Sequence, residues 1–217
     1  MMDLELIAKT EVFLKETFWG SEALERDPVG RSYRLEHSYR VANIAKHIAE
    51  AENFNVTYAV IAGLLHDIGY CEEIVTHADR MNHGRRGAEI VRPFLESLNL
   101  PPETVNEICY GIAIHVDDIP SFEGERTPFA ETVADADNID RFDAYRIFET
   151  LHWQKFDELP LAEKKSLVLA TLEKLKQFKE NKLGTRTAQK IWSQRLDFYI
   201  DFYQRLNAQL NNSSSIL

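Results

Sequence analysis

Apolar residues recur every three or four positions along most of this chain, the spacing of amphipathic helices. Near the C-terminal end Trp192, Leu196, Tyr199, Tyr203, Leu206 and Leu210 make one stripe, and Val168, Leu172, Leu175 and Phe178 make another just before it. Leu4, Ile7, Leu14 and Phe18 mark a first amphipathic helix, while "YAVIAGLL" (58–65) is almost continuously apolar and reads as a buried one. No stretch alternates apolar and polar residues long enough to predict a strand. The pattern therefore predicts an all-α helical bundle with additional C-terminal helices at about 160–210. Loops are expected at "ERDPVGRS" (25–32), "NLPPE" (99–103), "DDIPSFEGERTP" (117–128) and "DELPLAE" (157–163). None has the composition of a domain linker, so a single domain over 1–211 is expected, followed by a frayed polar tail at 212–217.

Several polar residues interrupt these apolar faces. In "LEHSYRVANIAKHIAE" (35–50), His37 falls on the side of Val41, Ile44 and Ile48, whereas His47 falls away from it. Alone, such a histidine is more often a satisfied core residue than a ligand. His66 and Asp67 follow the apolar helix directly, where they can serve as a cap, an ion pair or a site. His83 precedes Gly84, Arg85, Arg86 and Gly87, after which Ala88, Ile90, Val91 and Phe94 start a helical pattern. This predicts an imidazole and two guanidiniums at a helix N-terminus, a position that favours anions. His115 shares a stripe with Ile108 and Ile112, and Asp137 is in line with Phe129 and Val133. A carboxylate on an apolar face demands a partner. Asp135 points elsewhere, and Asp140 lies close enough to Asp137 to be confused with it. His77 and His152 are expected at the surface.

Taken together, His37, His66, Asp67, His83, His115 and Asp137 come from successive helices where apolar faces converge. Neutral imidazoles with carboxylates are the donor set for zinc, iron, manganese or nickel. One or two divalent metal ions (Fe, Mn, Zn, Ni or Mg) are the expected cofactor. Composition narrows the partners. A net charge of −10 disfavours nucleic acid polymers and anionic membranes. The two cysteines, Cys71 and Cys109, make neither a disulfide framework nor a thiolate zinc site, which suits a reducing cytoplasm. The first twenty residues carry charges throughout and resemble neither a signal peptide nor a membrane span.

The order of His37, the doublet His66-Asp67 and a late Asp137 resembles the HD-domain superfamily of metal-dependent phosphohydrolases. The segments "EHSYRVANIA", "AGLLHDIGY", "HGRRGAEIV" and "VADADNIDRFDA" look like its successive motifs, and the resemblance covers roughly residues 30–145. It implies an all-α fold with a metal on His37, His66, Asp67 and Asp137. Histidines at the places of His83 and His115 imply a second ion, with Asp67 bridging the two as the catalytic carboxylate. Dinuclear members cleave phosphomonoesters, phosphodiesters or dinucleoside polyphosphates. The Gly-Tyr-Pro segment of cyclic-dinucleotide phosphodiesterases is missing, as are the domains attached to stringent-response enzymes.

The expected chemistry is direct attack by water activated on the metal. No serine or cysteine has the setting of a nucleophile, and Cys71 lacks an evident base. The expected substrate is a small soluble phosphate ester, a nucleotide or dinucleotide. Arg86, Arg85 and Arg40 are the candidates for phosphate contact, in that order, because a guanidinium binds phosphate oxygens in pairs. Glu72, Glu73 and Asp117 are the candidates for proton transfer. Two other readings stand beside the hydrolase: a di-iron oxidoreductase on the same fold, and a non-catalytic sensor or interaction module that keeps the metal for structure. The apolar stripe of the last helix fits either internal packing or a homodimer.

Overall fold

The computed structural model describes residues Met2–Ser214, so the last three positions of the expected frayed tail lie outside the described residues. Among the described residues there are ten α-helices, three single turns of 3-10 helix and no strand. The fold is all-α, as the periodicity predicts.

The chain forms two compact units. The first comprises Met1–Asp137 with Gly184–Ala188, and the second comprises Asn138–Leu183 with Gln189–Leu217. At the centre of the first unit is α4 (Val56–Leu65), which packs against α1 (Leu4–Trp19), α3 (Pro28–Glu52) and α6 (Pro102–Ile114). Eight of its ten residues are buried, Thr57 and everything from Ala59 to Leu65, so its apolar character all round has a direct cause. Gly63 makes the α3–α4 crossing close, since a Cβ there would lie 2.7 Å from the Ala42 Cα. The short α2 (Glu22–Glu25) leads into α3.

Two helix starts differ from the sequence expectation. α3 begins within the predicted loop 25–32: the Asp27 side chain accepts from the Gly30 N–H, and Pro28 fills the first turn, where its missing N–H costs nothing. More consequentially, α5 runs from His77 to Ser97, so His83, Arg85 and Arg86 sit inside the helix and not at its N-terminus. The actual start is a capping box in which Thr76 and Asp79 bond reciprocally. Gly84 and Gly87 interrupt the apolar pattern because α5 passes its neighbours closely. A Cβ on Gly84 would meet the Ile112 carbonyl at 2.8 Å, and one on Gly87 would stand 3.4 Å from the Gly69 nitrogen.

In the second unit Phe142 packs edge-on against Trp192 and Phe178, with ring centroids 4.5 and 5.0 Å away, while the Trp192 indole donates to the Phe178 carbonyl at 3.3 Å. Val168, Leu172 and Leu175 of α9 (Leu161–Gln177) are buried, as are Leu196, Tyr199 and Tyr203 of α10 (Arg186–Asn211). Both predicted C-terminal stripes are thus inward faces. Preceding them, α8 (Ala144–Trp153) is capped by the Asp143 side chain.

Candidate metal centre

Six helical segments of the first unit deliver the six predicted residues to one point. His37 comes from the buried face of α3, His66 from the residue that closes α4, and Asp67 from the start of the following 3-10 turn (Ile68–Cys71). His83 lies on the buried face of α5 and His115 closes α6. Asp137 belongs to α7 (Pro128–Asp140). All six are buried, none more than 7% exposed. Turning from α4 into the 3-10 helix splays adjacent side chains, which lets both His66 and Asp67 face the centre. Gly69 lets that turn lie against α5, because a Cβ there would stand 2.1 Å from the His83 carbonyl oxygen.

Two groups share Asp67. His37, His66 and Asp67 form one triad, and Asp67, His83 and His115 form the other, each able to hold a metal ion. In the first, the Nε2 atoms of His37 and His66 are 3.3 Å apart and the Asp67 Oδ2 is 3.7 Å from His37. Asp137 adds an oxygen 3.0 Å from His37 Nε2 and 4.0 Å from His66 Nε2. In the second, Asp67 Oδ1 is 3.0 Å from His83 Nε2 and 3.6 Å from His115 Nε2, and the two Nε2 atoms are 3.1 Å apart.

The ring orientations test whether these residues fit an ion. Nδ1 of His66 donates to the Gly63 carbonyl at 2.8 Å, that of His83 to the Arg80 carbonyl at 2.5 Å, and that of His115 to the Ile112 carbonyl at 2.7 Å. A carbonyl only accepts, so each neutral ring carries its proton on Nδ1 and turns an Nε2 lone pair inward. Nε2 lone pairs then face one another and a carboxylate at about hydrogen-bond distance with no proton between them. A cation satisfies such a set. Ligand atoms about 2.0–2.1 Å from one ion are themselves roughly 3 Å apart, the spacing found here. The donor set fits.

The electrostatics agree. Burial pushes His66 down to about 4, keeping it neutral despite Asp67. Burial also opposes charge on His115, but the neighbouring carboxylate outweighs it and holds the ring above the usual histidine range. A proton there does what a metal would do. Burial opposes ionisation of Asp67 too, yet the imidazoles around it, His66 foremost, and the Arg34 guanidinium hold it well below the usual carboxylate range.

Arg34 is the residue that sequence reasoning missed. Its Nη1 donates to Asp67 Oδ2 at 2.8 Å, and its guanidinium lies 3.5 Å above the centre of the Tyr70 ring. The signal was available: Arg34 precedes His37 by one helical turn, on the same face. Of the arginines that were singled out, Arg85 is tied to Asp117 at 2.7 Å and to the Met81 and Ile119 carbonyls. Arg86 is paired with Glu72 at 2.6 Å and with Glu89. Arg40 lies 5.9 Å from the Tyr33 ring. The same pairs engage the proton-transfer candidates Glu72 and Asp117, and Glu73 is exposed, 3.4 Å from Arg26. Asp135 is buried and accepts from the Gly184 N–H at 2.9 Å, its carboxyl pushed by burial up to about 7. His47, His77 and His152 are exposed, as expected.

Residues 34–141 match the HD domain family. The chain belongs to the HD-domain superfamily. Its fold is similar to that of a predicted HD superfamily hydrolase from an uncultured Thermotogales bacterium, with a TM-score of 0.62 at 22% identity over 94% of this chain and 91% of that one. Over 63 residues the chain is 41% identical to Ribonuclease Y 1 of Pediococcus pentosaceus, a stretch covering 29% of this chain and 12% of that protein. The HD domain match spans every residue of the two triads and Asp137. No helix among the described residues is long and apolar enough to cross a membrane.

Proposed function

We propose that this HD domain is a dinuclear metal-dependent phosphohydrolase that cleaves a small soluble phosphate ester, a nucleotide or dinucleotide. The observation that carries the reading is the pair of buried triads sharing Asp67. His37, His66, Asp67 and Asp137 would hold one divalent ion, and Asp67, His83 and His115 would hold the second. Such ions supply Lewis acidity, lowering the pKa of coordinated water towards about 7 and offsetting charge that develops on the phosphoryl group. The chain's own part is orientation. Backbone carbonyls fix the tautomers of His66, His83 and His115, and Asp67 is kept anionic between the two groups. Burial of all six side chains keeps bulk water from competing for them.

Neither cysteine suits a covalent route. Burial pushes both thiols up to about 11, far from the thiolate form a nucleophile needs. The net charge of −10 favours a small substrate over a nucleic acid polymer. The test is phosphate release from a panel of nucleotides and dinucleotides. Protein is compared as purified, after chelation, and after return of Mn, Zn, Fe, Ni or Mg. The expected result is release lost on chelation and restored by at least one ion. Release indifferent to chelation contradicts the proposal, and oxygen consumption without release points to the oxidoreductase reading.

A further inference from the structure

Beyond the two triads, the molecule's most unusual charge is Arg34, whose side chain is 26% exposed while its partner Asp67 is almost wholly buried. Its surroundings are built on three sides. The guanidinium lies 3.5 Å above the centre of the Tyr70 ring, which itself sits 4.4 Å from the ring of His83. Arg34 is also 5.5 Å from the Tyr33 ring, which stacks parallel to His37 at 5.8 Å. Arg34 thus contacts two aromatic rings, one of which packs on His83 of one triad and the other on His37 of the other.

Geometry at the carboxylate gives these contacts a purpose. Asp67 Oδ1 is 3.0 Å from His83 and 3.6 Å from both His115 and His66, while Oδ2 faces His37 at 3.7 Å and takes the Arg34 hydrogen bond at 2.8 Å. An aspartate can rotate about its Cβ–Cγ bond, and rotation would reassign both oxygens. A carboxylate oxygen has two lone pairs, so Oδ2 can accept from Arg34 and still offer a second pair to an ion. A guanidinium seated over an aromatic ring is preorganised for this, losing little freedom on making the bond.

Resting on the proposed dinuclear reading, we infer that Arg34, seated on Tyr70, is a positioning residue that fixes the rotation of the Asp67 carboxylate, with Oδ2 towards His37 and Oδ1 towards His83, so that Asp67 can serve both triads. The role is exerted through Asp67, and its signature is metal affinity. Losing a hydrogen-bond partner of a metal-ligating group typically weakens binding about 10–100-fold. Against this acts the repulsion between a guanidinium and a dication, which would make Arg34 an obstacle to loading. The two effects have opposite signs, so one titration separates them.

The experiment is calorimetric titration of Mn²⁺ alone into the chelator-stripped full-length chain. Wild type is compared with Arg34→Met, Arg34→Lys and Tyr70→Leu, with circular dichroism to verify the fold. Arg34→Met is expected to weaken Mn²⁺ binding about 10–100-fold. Arg34→Lys, which keeps a donor but not the planar fork, should recover part of that loss. Tyr70→Leu should shift affinity in the same direction by less. Should Arg34→Met fail to fold, the Lys and Leu variants carry the comparison. Unchanged or tighter Mn²⁺ binding in the folded variants overturns the inference and leaves the dinuclear reading standing. A wild-type chain that takes up no Mn²⁺ overturns both.

Discussion

Asp67→Ala is expected to abolish metal retention at both triads together and to take turnover with it. The expectation follows from position: Asp67 is the one residue that belongs to both groups, with an oxygen towards each. Its removal leaves two imidazoles on each side, with Asp137 still beside the first pair. Loss of an outer partner alone costs about 10–100-fold in affinity or activity, so loss of a shared direct ligand exceeds about 100-fold. Destabilisation is the competing explanation for lost activity, and Asp67→Asn controls for it. The amide keeps the side chain's shape and an oxygen for Arg34 but lacks the charge an ion requires. Elemental analysis with circular dichroism on both variants reads the outcome. A folded Asp67→Asn protein that keeps its metal and full activity contradicts the assignment. His66→Ala should weaken metal retention at the first group and reduce turnover with it, since its Nε2 is 3.3 Å from His37 Nε2 and 3.6 Å from Asp67 Oδ1.

His83→Ala is expected to lose one ion and spare the other. His83 Nε2 lies 3.0 Å from Asp67 Oδ1 and 3.1 Å from His115 Nε2, and it takes no part in the group around His37. Without it the second triad keeps only one imidazole and one shared carboxylate oxygen, too few to hold a divalent ion firmly. The first group retains His37, His66, Asp67 and Asp137. Metal content is therefore expected to fall from two per chain to one, with secondary structure preserved, and phosphate release to drop by about 100-fold or more. Metal content unchanged from wild type would show that the dinuclear assignment is wrong and that His83 contacts substrate instead.

How much of this was legible in the sequence depends on the kind of signal each residue gave. His37, His115 and Asp137 were readable because a polar residue repeating with apolar neighbours at helical spacing must be buried, and buried polarity asks for a partner. The His66-Asp67 doublet was readable from its place at the end of an apolar helix. The context of His83 was misread. Gly84 and Gly87 looked like a break before a helix, whereas they let α5 pass within reach of the Ile112 carbonyl and the Gly69 nitrogen. A glycine needed for close approach and a glycine needed for a turn look the same in one sequence.

The arginines show a second limit. Arg85 and Arg86 drew attention as neighbours of His83, but their partners Asp117 and Glu72 come from elsewhere in the chain, and no local pattern announces such pairs. Arg34 carried a readable clue in its one-turn spacing from His37. Its hydrogen bond to Asp67, 33 positions later in the chain, depends on how α3 crosses the end of α4.

The central claim is that two divalent ions share Asp67, and metal stoichiometry tests it most directly. The measurement is elemental analysis per chain on protein purified without chelator and, separately, on protein reconstituted after stripping. The account predicts two equivalents of a divalent transition metal per chain. Less than one equivalent after careful reconstitution would contradict it, reducing the six converging side chains to a buried network held by protons and by Arg34.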